Sequence, residues 1–173
     1  MIKGKGPDLL LQAAAKIESA FHLTMVGEGN WLPELQQIAC RLGIEDRVTW
    51  TGWVTPEELD EHYREARVVA VPSRWPEPFG MVGLEAMQRA KPVVGFAVGG
   101  IPDWLADGVN GFLIDPPSVA NLALKLETLL LDKQMAWEMG LQGLRKVGQD
   151  FCFESHVERL EAVLSTAAWS VAS

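Results

Sequence analysis

With 173 residues, 48% of them hydrophobic, the chain has the length of one domain and enough apolar side chains for a sizeable core, which excludes a disordered tail. Fifteen basic residues against 23 acidic leave a net charge of −8 with no lysine or arginine cluster, which argues against binding to nucleic acid or to an anionic membrane surface. There is no apolar run of roughly 18 residues and no signal-peptide core, so neither a membrane span nor a leader is expected and residence in the cytoplasm is.

Short apolar runs alternate with segments of helical period, the pattern of an α/β doubly wound domain: a parallel sheet with helices on both faces. In chain order the expected elements are a helix over 7–19, a strand over 22–26, a helix over 31–42, a strand over 47–51 and a helix over 56–66. A strand over 68–72, a helix over 81–90 and strands over 92–97 and 111–115 follow. The strand runs are rich in valine and other strand-compatible residues. Pro56 follows Thr55 as the first helical residue follows an N-cap, with Glu57 and Glu58 in the first turn. After Asp115-Pro116-Pro117 the chain is expected to be helical, over 119–131, 133–147 and 154–167, and to pack across the sheet without chemistry of its own. The whole is expected to be a single domain, with a Rossmann-like core over about residues 1–131 and helices from 133 to 168.

Glycines stand where the strands end: Gly27 and Gly29, Gly52, Gly99 and Gly100. Each loop alone is ordinary turn chemistry. In an open parallel sheet, however, ligands bind outside the carboxyl ends of the strands, so all of these loops are expected on one rim. Trp53 and Trp75 are expected there too, either stacking on a ligand or filling space. Cys40 and Cys152 lack the spacing of a metal or redox pair and read as buried free thiols. His22, His62 and His156 share no metal-ligand spacing and no Asp-x-Asp pair occurs, so no metal is expected.

The segment from Trp75 to Glu85 is the most informative on that rim. Pro76 and Pro78 stiffen an extended loop around Glu77, Gly80 lets the backbone turn, and a helix begins at Met81. The unpaired N–H groups of such a first turn form a phosphate site, and a carboxylate one turn further in, Glu85, can accept from two neighbouring hydroxyls. The same spacing also suits a solvated stripe of Glu85, Gln88 and Arg89 on a surface helix, with an exposed Glu85–Arg89 pair.

Taken in order, Lys5-Gly6-Pro7-Asp8-Leu9-Leu10, Val26-Gly27-Glu28-Gly29, Thr51-Gly52-Trp53-Val54, Val71-Pro72-Ser73, Glu77-Pro78-Phe79-Gly80 through Glu85-Ala86-Met87, and Gly99-Gly100-Ile101-Pro102 carry a resemblance. They resemble the C-terminal, donor-binding half of retaining GT-B glycosyltransferases of the group 1, or family 4, type. The resemblance implies a Rossmann-like half of a GT-B fold that binds a nucleoside-diphosphate sugar, most commonly a UDP-sugar, as substrate, with no cofactor and no essential metal. Carried onto matching positions, it implies that Glu85 binds the ribose hydroxyls while Phe79, Gly80, Met81 and Val82 hold the distal phosphate and the sugar. Glu77 would act at the transferred sugar, Lys5 would neutralise the leaving diphosphate, Val54 would meet the base, and Gly27 and Gly29 would let a loop approach the nucleotide.

Members of that family carry an apolar strand and an arginine shortly before the lysine, whereas only Met1-Ile2-Lys3-Gly4 stand before Lys5. They also carry an N-terminal acceptor half, which is absent from these 173 residues and is expected in the same protein or in a separate chain. Through that half the protein could lie against the inner membrane. Two other readings remain open: a non-catalytic nucleotide-sugar binding or interaction subunit that needs a partner chain, and half of a sugar-nucleotide epimerase of the same architecture. The scarcity of histidine argues against the epimerase.

Overall fold

The computed structural model describes residues 1–152, 155, 157 and 160–164. Five strands, β1 (Leu23–Val26), β2 (Val48–Gly52), β3 (Val69–Val71), β4 (Val93–Phe96) and β5 (Gly111–Ile114), alternate with helices. The helices are α1 (Pro7–Ala14), α2 (Leu32–Arg41), α3 (Pro56–Glu65), α4 (Met81–Gln88), α5 (Ile101–Trp104), α6 (Val119–Leu131) and α7 (Lys133–Asp150). Most elements start and stop within a few residues of their expected limits. Half of the expected helix over 154–167 lies outside the described residues; the described ones in it, 155, 157 and 160–164, are helical.

Every strand pairing is parallel, as the alternation of elements requires. The strands form two sheets instead of one: β1 pairs with β2, and β3, β4 and β5 pair in that order. The two sheets share no strand, and side chains join them. Met25 of β1 lies in one apolar cluster with Val94 and Phe96 of β4, Phe112 and Ile114 of β5, Leu10 and Leu11 of α1 and Leu126 of α6. Because side chains alternate across a strand, Val93 points the other way, into a second cluster with Leu84 and Met87 of α4, Trp104 of α5 and Val147 of α7.

Local chemistry explains where helices begin. Thr55 and Glu58 cap α3 reciprocally, with the Thr55 amide donating to Glu58 Oε2 at 2.7 Å and the Glu58 amide to Thr55 Oγ1 at 3.3 Å. Ser118 and Asp132 cap α6 and α7 by the same physics. Where helices end depends more on distant partners. The helix expected over 7–19 stops at Ala14, and the amides of Glu18 and Ser19 donate to Glu127 Oε1 of α6 at 3.0 and 2.8 Å. These two bonds hold the Glu127 carboxyl below its ordinary range. The short helix α5 falls between the strands expected over 92–97 and 111–115, where no element was expected. One further expectation is corrected: both cysteines are free, but neither is buried; Cys152 is half-buried and Cys40 exposed, on the outer side of α2 while Leu35 and Ala39 face the core.

Candidate functional site

The loops at the carboxyl ends of β1 to β4 build the site. The turn Lys3–Lys5 precedes α1 and is laced to the loop after β3, since the Gly4 carbonyl accepts from the amides of Arg74 (2.9 Å) and Trp75 (3.2 Å). Gly6, at φ +67°, turns the chain into α1, and a Cβ there would lie 1.9 Å from the Pro72 carbonyl oxygen. Only glycine fits that crossing. Arg74 then grips the buried Asp8 with two parallel bonds of 2.7 and 2.5 Å, which pins the first turn of α1 to the same loop.

This lacing delivers Lys5 to Glu77. The Lys5 ammonium pairs with Glu77 Oε2, and the Ser73 hydroxyl donates to the same oxygen at 3.4 Å. Glu77 is only 8% exposed. Burying a carboxylate is costly unless a cation or donors face it, and Lys5, itself half exposed, is that cation.

The loop after β4 supports Glu77 from behind. The Gly100 amide donates to the Glu77 carbonyl at 2.8 Å, and a Cβ on Gly99 would lie 2.1 Å from that same oxygen. The two glycines therefore serve close backbone approach as well as turning. Trp104 of α5, fully buried, donates from Nε1 to the Phe79 carbonyl at 2.5 Å and lies flush against the start of α4, so that a Cβ on Gly83 would come within 2.0 Å of the indole. Phe79 also meets Phe151 edge to face at 5.6 Å. Gly80, at φ +80°, is the N-cap of α4, and Met81 and Val82 at its first turn are exposed. The amides of this turn point toward the rim as a positive helix end.

Glu85 lies on the second turn of α4, half buried. Its carboxylate does not pair with Arg89. Tyr63 of α3 donates its hydroxyl to Glu85 Oε2 at 3.0 Å, while Arg89 bonds Asp60 Oδ1 at 2.7 Å and the Glu85 backbone carbonyl at 2.9 Å. The guanidinium also stands over the Tyr63 ring, 4.9 Å from its centre. The hydrogen bond from Arg89, with a second from Arg64, lowers the Asp60 pKa. The solvated Glu85–Arg89 pair that the spacing allowed is thus replaced by an oriented carboxylate.

Lys5, Glu77, Phe79, Gly80, Met81, Val82 and Glu85 are brought together along one loop and one helix start. Gly27 and Gly29 belong to the loop after β1 and Val54 to the loop after β2; the Gly27 amide donates to the Gly52 carbonyl at 2.8 Å and joins the two, and the Met1 backbone packs on Gly29, where a Cβ would lie 1.9 Å from its nitrogen. Trp53 and Trp75 are strongly exposed. Sequence reasoning missed Tyr63, Asp8, Arg74 and Trp104 as supports of the site. Tyr63 is the chain's one tyrosine, and its placement inside an otherwise charged helix, Glu61-His62-Tyr63-Arg64-Glu65, was the available signal. Among the described residues no group of three metal-ligating side chains occurs, and no helix is long and apolar enough to cross a membrane.

Known proteins resemble the chain in sequence and in fold. The family model described as glycosyl transferases group 1 matches residues 1–145. A D-inositol 3-phosphate glycosyltransferase of Geodermatophilus obscurus is 35% identical over 98% of the chain and 39% of its own length. One from Mycolicibacterium smegmatis is 42% identical over 73% of the chain and 30% of its own length. Among solved structures, Anabaena HepE in complex with UDP and glucose superposes with a TM-score of 0.86 at 30% identity, over 96% of this chain and 46% of that one. TarM of Staphylococcus aureus, in complex with UDP and other ligands, superposes with a TM-score of 0.86 at 25% identity, over 94% and 33%. The chain therefore spans less than half the length of these relatives. Its fold is the Rossmann-like doubly wound domain of GT-B glycosyltransferases, and the chain belongs to the glycosyl transferases group 1 family.

Proposed function

We propose that the chain is the donor-binding half of a retaining, metal-independent glycosyltransferase, which takes a sugar from a nucleoside-diphosphate sugar and passes it to an acceptor held by a second half. The carrying observation is the convergence of a lysine, a buried carboxylate and a helix start at one loop, with an oriented carboxylate one turn further along the helix. The chemistry needs those groups. As the bond between sugar and diphosphate breaks, negative charge gathers on the diphosphate and positive charge on the anomeric carbon. Lys5 and the amides of Gly80, Met81 and Val82 answer the first charge, and Glu77 answers the second. Lys5 pairs with Glu77, so a diphosphate at this loop competes with that carboxylate for the ammonium.

Glu85 accepts from the ribose hydroxyls, Val54 presents its backbone to the base, and Gly27 and Gly29 let a neighbouring loop approach the nucleotide. The structures of HepE with UDP-glucose and with UDP support a uridine nucleotide. The relatives' name supports a phosphorylated polyol among the acceptors of the complete protein, which on this reading works in the cytoplasm. Calorimetric titration of UDP, GDP and ADP into the wild-type chain and into Glu85→Ala tests the assignment. Saturable binding of UDP, weakened at least tenfold in the variant, is expected. Equal binding by both chains would remove Glu85 from the site.

A further inference from the structure

The carboxylate of Glu85 is approached from a second helix by a buried phenol, a contact that neither catalysis nor nucleotide contact as described above requires. Tyr63 is 7% exposed, and its ring sits in the cluster formed by Leu84, Met87 and Trp104. Its hydroxyl reaches Glu85 Oε2 at 3.0 Å and stands 3.4 Å from the Val82 carbonyl oxygen, at the end of α4 assigned to phosphate. Arg89 covers the ring and is itself fixed by Asp60 and by the Glu85 backbone, so the phenol has little freedom to turn away.

Resting on the ribose assignment of Glu85, we infer that Tyr63 is a positioning residue for nucleotide recognition: by occupying Oε2 it sets the plane of the carboxylate and directs Oε1 to the ribose diol. Among the described residues Oε1 accepts no hydrogen bond, so both of its lone pairs are open to a ligand. A glutamate on a helix surface samples several rotamers, and freezing them upon binding costs affinity; a carboxylate already held by a buried donor avoids that cost. Burial and the neighbouring carboxylate push the phenol's pKa well above its ordinary value of 10.0, so the hydroxyl remains a donor throughout the neutral range. The Arg89 guanidinium opposes that shift only weakly.

A buried tyrosine needs a hydrogen-bond partner for structural reasons alone, so the test must read ribose recognition and not merely stability. UDP and 2′,3′-dideoxy-UDP are titrated into the wild-type chain, Tyr63→Phe, Glu85→Gln and the double variant, with thermal unfolding as the folding control. Tyr63→Phe is expected to weaken UDP about tenfold, to leave the dideoxy nucleotide within twofold, and to have no further effect in the Glu85→Gln background. Equal weakening of both nucleotides, or none, overturns the inference.

Because the chain has a single tyrosine, the Cζ signal of the 13C-labelled wild-type chain gives a second reading that needs no variant. UDP is expected to shift that signal and dideoxy-UDP to leave it in place; the same response to both nucleotides counts against the inference. A wild-type chain that binds the two nucleotides equally, or does not bind UDP, removes Glu85 from the ribose and this inference with it. Discrimination that survives intact in Tyr63→Phe overturns the role of Tyr63 alone.

Discussion

Gly83 shows how a single absent methyl group shapes the candidate site. It lies in the first turns of α4, where a helix ordinarily gains about 1 kcal/mol from alanine in place of glycine. Trp104 occupies the space that alanine would need. Gly83→Ala is therefore expected to lower stability by about 1–3 kcal/mol, read as a drop in the urea midpoint, because a fully buried indole has nowhere to move. The same displacement would tilt the start of α4, so UDP binding should weaken along with it.

Tyr63 carries a pH signature at the same scale. Its proton is held more tightly in the folded chain than in the unfolded one, so its contribution is complete below pH 10 and is lost as pH rises beyond that value. Wild-type stability should fall above pH 10 with an added slope of up to about 1.4 kcal/mol per pH unit, a slope that Tyr63→Phe lacks. Lys91, whose pKa burial lowers, acts in the opposite sense in the alkaline range and is common to both chains. Denaturation curves of the two chains between pH 8 and 11 isolate the difference. Parallel curves would contradict a raised phenol.

Among the elements, α3 and α4 contribute most to the site, and for different reasons. Helix α3 is specified locally: Thr55, Pro56 and Glu58 form a capping box that needs no tertiary help. Thr55→Ala should cost about 1 kcal/mol by chemical denaturation, because it removes the bond to the Glu58 amide. Helix α4 is specified by its surroundings. It ends at Gln88, with Ala90 in the left-handed region at φ +54°, and its start is held by Gly80, Trp104 and the glycine pair after β4. Helix α1 shows the same dependence at its far end, where Glu127 takes the amides that a longer helix would have used. The start signals of helices were thus readable from neighbouring residues. The end of α1 was not, because the competing acceptor lay about a hundred positions away in the chain.

At the scale of the molecule, the candidate site is an open rim. Trp53, Trp75, Met81 and Val82 are exposed along it, and the chain covers 39% and 30% of the length of the two curated relatives compared. Transfer requires an acceptor held in line with the sugar and water kept away, which two closing domains supply and one rim does not. The 173-residue chain is expected to bind UDP-glucose yet show no sustained transfer to an inositol phosphate, followed by UDP release. Turnover by this chain without any partner would overturn the division of labour proposed here.

What the sequence determined by itself were the features written in short spacing: the alternation of elements, their parallel pairing, the cap at Thr55, and the run from Glu77 to Glu85 with its glycines. Those follow from φ preferences, side-chain period and capping, which act within a few residues. Tertiary structure alone decided that Lys5 meets Glu77, that Asp8 meets Arg74, that Trp104 backs Gly83, and that Glu85 answers to Tyr63 and not to Arg89. It also decided that the strands divide into two sheets. Each of these joins residues separated by 21 to 72 positions or depends on which strand edges meet, and no local preference encodes such a distance. The choice between an oriented and a solvated Glu85 belongs to this second group: helical spacing put Arg89 within reach, but the nearer claim of Asp60 and the burial of Tyr63 determined which partner the carboxylate received.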